Sequence, residues 1–195
     1  IVSAAHQPLS AVSEVLHFEA GLFEEFDHIA DFVGPSWPEA ETDHRRLPLV
    51  RAEVELDDEP VRARLYLSAL GLVEAEINGR KVGNDSLIPG WTDYNNRVEC
   101  WTYDVTEALN AGANALGFWL GDGWYRGRLG FDGGYANFYG DRIGVFAQLE
   151  VEYADGSQTH VYSNAWDRQW KVAPGPIICS DMCEGERYDA REEMS

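Results

Sequence analysis

An all-β fold, a β-sandwich of jelly-roll type with short helical turns, is what this chain predicts. Seven or eight short runs either alternate apolar and polar residues or are wholly apolar. Clusters of Gly, Asn and Asp separate them. Only TEALNAG, Thr106 to Gly112, scans as a helical turn, with Thr106 available as N-cap and Gly112 as stop. With 195 residues, 45% of them hydrophobic and 12% aromatic, the chain can build one core, or one domain plus a piece of another.

Each element follows in order. In FEAGLFEEFDHIADF, Phe18, Leu22, Phe26, Ile29 and Phe32 fall three or four apart, the period of an amphipathic helix, against which Gly21 counts. GPSWPEAETDHRR reads as a linker. LVRAEVEL (Leu49 to Leu56) alternates as a strand with one buried face, and ARLYLSAL (Ala63 to Leu70) follows an acidic turn. Val73 to Val82 carries Asn78-Gly79, a hairpin dipeptide because both residues tolerate positive φ. VECWTYDVT (Val98 to Thr106) alternates again, and NALGFWLG (Asn114 to Gly121) suits a buried strand. Ile143 to Ser163 reads as two strands joined by Ala154-Asp155-Gly156-Ser157.

Between strands lies GDGWYRGRLGFDGGYANFYGD, Gly121 to Asp141, with seven glycines, six aromatics and three aspartates. Glycines let the backbone approach a ligand, and aromatic faces stack on the C–H faces of sugars. Asp122, Trp124, Tyr125 and Arg128 cluster at its start: a ring to stack on, with a carboxylate and an arginine fork for hydroxyls. The competing reading is a demanding strand-to-loop junction, with Trp124 in the core and an Asp122–arginine pair holding it. Asn137, Tyr139 and Asp141 close the excursion, and irregular loops of this length are usually functional or mobile. A second loop, PGWTDYNNRV, gathers Trp91, Asp93, Asn95 and Asn96. Asp93, Asn96 and Asp141 offer hard oxygens of the kind calcium takes, although Asx residues also simply build turns.

The composition excludes other classes. A net charge of -19 disfavours nucleic acid and anionic membranes as partners, and no apolar run reaches the ~20 residues that span a bilayer. IVSAAHQPLS lacks the layout of a secretory signal, although the chain starts at Ile1 rather than Met. Cys100, Cys179 and Cys183 are odd in number, which favours a reducing, cytoplasmic setting over a disulfide framework. Cys179 and Cys183 read as buried thiols on a strand rather than zinc ligands. His6, His17, His28, His44 and His160 are scattered, and none lies beside a Ser or Cys as in a nucleophile arrangement. GDGWYRG follows a strand, yet no helix is expected after it, so it is no phosphate loop.

In unbroken order, LVRAEVEL, ARLYLSALGLVEAEINGRKVG, PGWTDYNNRVECWTYDVT, LGDGWYRGRLGF, YGDRIGVFAQLEVEYADGS and W…GPIICSDMCEGERYDAR resemble the N-terminal β-sandwich domain of bacterial α-L-rhamnosidases, glycoside hydrolase family 78. The resemblance implies a sandwich over 47–192, preceded by a connector over 25–46. It also makes 1–24 the tail of a fibronectin-type domain whose last strand is LHFEAGLF, overriding the helical periodicity there. In that family the acid and base belong to a separate helical barrel, so the resemblance implies a non-catalytic accessory domain with that barrel as its partner in the same polypeptide. Some relatives' sandwiches bind terminal L-rhamnose through calcium, while others are structural. PGWTDY and GDGWYRG belong to the shared pattern; Asn95-Asn96 is less stereotyped. A sugar-binding module, a purely structural interface module and a free lectin-like protein therefore all remain open.

Overall fold

The computed structural model describes residues 14–16, 18–39 and 45–193. His6, His17 and His44, the middle of the expected linker and most of the 1–24 stretch lie outside the described residues.

Eleven strands form among the described residues: β1 (Pro48–Leu56), β2 (Arg62–Leu70), β3 (Leu72–Ile77), β4 (Arg80–Lys81), β5 (Trp101–Asp104), β6 (Gly112–Gly121), β7 (Gly144–Glu152), β8 (Gln158–Tyr162), β9 (Lys171–Pro174), β10 (Ile177–Asp181) and β11 (Gly185–Tyr188). The additional ones are short and come largely from the tail. A five-stranded sheet, β4-β3-β6-β1-β9, faces a four-stranded sheet, β5-β2-β7-β8, and every pairing is antiparallel. β10 and β11 make a separate hairpin.

Alternation explains why the sheets meet face to face. β1 turns Val50, Ala52, Val54 and Leu56 inward and Arg51, Glu53 and Glu55 to solvent. Leu116, Phe118 and Leu120 of β6 join Leu65 and Leu67 of β2 and Val145, Leu149 and Val151 of β7 in one continuous core. Asn78 (φ 52°) and Gly79 (φ 75°) make the expected hairpin turn between β3 and β4. Gly156 (φ 83°) does the same between β7 and β8.

β7 is buried on both faces, which a strand of a two-layer sandwich does not require. Residues 27–33 cover its outer side. Gln148, 1% exposed, accepts from the backbone N–H of Ile29 (3.2 Å) and Ala30 (3.4 Å) and donates to Asp27 O (3.0 Å). Val33 and Val145 exchange N–H···O bonds of 2.8 and 2.9 Å, and Ala30 packs with Tyr66 and Phe146. Residues 27–33, within the stretch read as a connector, thus cover the four-stranded sheet.

Several local expectations are corrected. The helical spacing from Phe18 to Phe32 yields only a 3₁₀ turn, Glu25–Asp27, and Phe18, Phe23 and Phe26 are exposed. The described residues among 14–24 pair with no strand of this chain. A β-strand needs a neighbour for its N–H and C=O groups, and none lies beside this stretch among the described residues. Thr106 is not an N-cap. It sits inside the 3₁₀ turn Thr106–Ala108, its hydroxyl donating to Asp104 Oδ1 (2.7 Å) and accepting from Ala63 N (2.9 Å). Gly112 opens β6 rather than ending a helix. Cys179 is buried on β10 as expected, but Cys183 is exposed in the turn after it.

Candidate functional site

The two loops singled out by composition meet in space. The 89–97 loop is closed by Tyr94 Oη donating to Gly90 O (2.6 Å). Asp93 organises its tip: its carbonyl accepts from the N–H of Asn96 and Arg97 (2.9 Å each), Oδ1 from Asn95 N (3.3 Å) and Oδ2 from Asn96 Nδ2 (2.6 Å). Asx side chains that mimic a backbone turn behave in this way.

The 121–141 excursion opens with a single helical turn, α1 (Gly123–Arg126), where no helix was expected. Asp122, immediately before it, accepts from Arg126 Nε. Asn137 (φ 62°) donates its N–H to Arg126 O (2.9 Å), and Leu129 and Tyr135 exchange backbone bonds, folding the glycine-rich stretch back on itself. Arg128 Nη1 donates to Gly133 O (2.9 Å) while its Nε approaches Glu184 (3.2 Å). The guanidinium expected to reach sugar hydroxyls thus also shapes the loop.

Aromatic rings join the loops into a crown. Trp91 stacks on Trp124 with centroids 6.2 Å apart and planes 5° from parallel. Tyr94 meets Tyr125 (5.3 Å) and Tyr139 (5.0 Å) edge-on. Trp91 Nε1 donates to Tyr139 Oη (3.3 Å). Trp91 is 57% exposed, and Trp124 is half-buried at the crown rather than in the core. Burial pushes the Tyr94 phenol up to about 12, with the neighbouring Tyr139 adding to it. Burial, and then the charge of Asp141, raises Tyr125 as well.

Beneath the crown lies a buried ionic knot. Arg126, 2% exposed, reaches both Asp122 and Glu39, the latter through Nη1–Oε2 at 2.7 Å. Desolvation raises the Asp122 carboxyl above its ordinary range in spite of the Arg126 charge beside it. Arg45 Nη1 ties Asn137 Oδ1 (2.9 Å) to Asp141 O (3.2 Å).

The structure thus gathers Trp91, Trp124, Tyr125 and Tyr139 into one platform. It arranges Asp93, Asn95 and Asn96 as one turn, and it draws Asn137 and Asp141 together through Arg45. Among the described residues no three His, Cys, Asp or Glu side chains converge. The donors Asp93, Asn96 and Asp141 are exposed carboxylate and amide oxygens, the hard set suited to calcium rather than zinc. Tyr94, the hinge of the crown, was legible three residues after Trp91. Glu39 and Arg45 carry no local signal, since their partners lie 87 and 92 residues away.

Comparison with known proteins agrees with this architecture. A family model for the α-L-rhamnosidase N-terminal domain matches residues 58–195. An α-L-rhamnosidase of Streptomyces avermitilis is 50% identical over 147 residues, covering 75% of this chain and 14% of that protein. The crystal structure of the Aspergillus terreus α-L-rhamnosidase superposes with a TM-score of 0.84 at 44% identity, over 90% of this chain and 20% of its own. The Streptomyces avermitilis enzyme complexed with L-rhamnose gives 0.73 at 46% identity, over 80% of this chain and 15% of its own. The chain spans a fifth or less of these relatives' length. The family-model match over residues 58–195, together with 50% identity over three quarters of the chain, makes it a member of the α-L-rhamnosidase N-terminal domain family.

Proposed function

We propose that this sandwich is a non-catalytic accessory domain of an α-L-rhamnosidase, whose crown receives a terminal L-rhamnose-like sugar with calcium held by Asp93, Asn96 and Asp141. The observation that carries the reading is the convergence of the two loops. An exposed indole, Trp91, is braced by Trp124 and Tyr139 beside an oxygen-rich Asx turn. A pyranose needs that pairing of a flat apolar face with hydroxyl partners at its edge. The relative solved with L-rhamnose supports the choice of sugar class. Bond cleavage is assigned to another part of the parent polypeptide, so this chain should give no turnover on an aryl rhamnoside.

Tryptophan fluorescence during an L-rhamnose titration tests the reading. A saturable, millimolar response should appear with calcium, vanish with chelator and be lost in Trp91→Ala. A flat titration with calcium present would sink it. The second reading, a packing module, is favoured by the ridge beyond the crown, where Phe131, Tyr135 and Phe138 are 94%, 79% and 64% exposed. It predicts self-association on gel filtration that neither calcium nor sugar alters.

A further inference from the structure

The solvent face of the five-stranded sheet holds a trough unrelated to the crown. The register places Leu49, Trp119 and Glu74 in one cross-strand row and Arg51, Gly117 and Glu76 in the next. Alternation turns both rows outward, because Val50, Leu116, Phe118 and Ala75 between them are core. A cavity of about 250 Å³ lies over Gly117, walled by Trp119 and flanked by Arg51 and Glu76. On the other side of Trp119 a cleft of about 360 Å³ continues towards the β10–β11 hairpin, past Leu72, Leu87 and Ser180.

Gly117 is the informative residue. It sits mid-strand, its φ is not positive, and a Cβ there would meet nothing within 4 Å. Neither conformation nor packing requires glycine, although glycine weakens a strand interior. Such a glycine often marks where a ligand or another backbone approaches closely. A peptide strand cannot be that visitor by edge addition, because β6 is already paired on both sides by β1 and β3. Recognition must come from side chains: an indole face, a guanidinium and carboxylates around an open floor. That set suits a polyol with an apolar face. On this face Glu53, Glu74 and Glu76 are matched by Arg51, Lys81 and Lys171, with Arg51 paired to Glu53 (3.0 Å) and Lys81 to Glu74, so the trough is close to neutral. The chain as a whole carries -19, which disfavours an acidic glycan.

We propose that this face is a second carbohydrate-binding surface, on which a neutral pyranose chain stacks on Trp119 and crosses Gly117 between Arg51 and Glu76. The proposal uses none of the crown's residues and stands or falls apart from it.

Amide and indole NMR of the ¹⁵N-labelled chain tests it, with cellotetraose, rutinose (a rhamnose-terminated neutral disaccharide) and tetragalacturonate as probes. The expected result is millimolar binding of a neutral probe that shifts the Gly117 amide and the Trp119 indole. Gly117→Val, which fills the trough with a strand-favouring side chain, should weaken it about ten-fold or more with the melting temperature retained. Arg51→Ala should weaken it too, and it serves as the readout should the valine variant fold poorly. Trp91→Ala should leave these shifts intact. Shifts confined to the crown, no response to either neutral sugar, undiminished binding in Gly117→Val, or equal binding of tetragalacturonate would overturn it.

Discussion

Arg126 donates from Nη1 to Glu39 Oε2 at 2.7 Å, joining residues 87 positions apart with the guanidinium side chain only 1% exposed. The contact pins the segment before β1 to the helical turn beneath the crown. Among the described residues Glu39 Oε1 and Arg126 Nη2 find no hydrogen-bond partner. Removing Glu39 leaves Arg126 its Asp122 partner but strips Nη1 of its buried acceptor, and an orphaned buried donor on a charged group costs more than the bond contributed. Glu39→Ala should lower stability by about 3 kcal/mol. Urea unfolding will show it as a reduced midpoint at unchanged slope.

Acid should act through Glu19. Hydrogen bonds from Arg64 and Arg62 hold its carboxyl below the ordinary glutamate range. The unfolded chain therefore takes up this proton first. The stabilisation is complete above the ordinary glutamate pKa and is lost as pH falls through the depressed value. Glu19 is partly exposed, which limits the effect to under about 1 kcal/mol. Melting curves of the native chain and Glu19→Gln should differ near neutrality and converge in acid.

Gly79 isolates a backbone cost. Its φ is 75° and a Cβ would meet nothing within 4 Å, so an alanine there suffers only from conformation. Gly79→Ala should cost about 1–2 kcal/mol in thermal or chemical unfolding, with no change at the crown.

Gly140 holds the crown's shape. A Cβ at this position would fall 2.2 Å from Tyr125 Oη. Gly140→Ala must displace that ring and loosen its edge contact with Tyr94 at 5.3 Å. Overpacking of this kind costs about 1–3 kcal/mol. L-rhamnose titration of the variant should show weakened binding while far-UV circular dichroism stays that of the native sandwich.

β1, β3 and β6 were legible because one face of each is buried, and the hairpins because Asn78-Gly79 and Asp155-Gly156 name their own turns. The loops' partnership was only half legible. Composition flagged Trp91 and Trp124 separately, whereas their stacking depends on how the sheets bring distant ends together. Periodicity alone points to a helix between Phe18 and Phe32, a reading the family resemblance already set aside as far as Phe23; further on, long-range bonds from Gln148 to Asp27, Ile29 and Ala30 hold part of the backbone extended. Thr106 was misread because Asp104 Oδ1 takes both its N–H (3.1 Å) and its hydroxyl (2.7 Å). Nothing in a local window announces Glu39 as the partner of Arg126.

The place of β1 between β6 and β9 bears on how the chain is made. This strand acquires its two neighbours only once residues 112–121 and then 171–174 have been synthesised. Until then its apolar side has no opposing ladder, a state in which nascent β-proteins are prone to aggregate. The acidic outward side chains Glu53 and Glu55 give that waiting strand a charged edge, which discourages premature pairing with another copy.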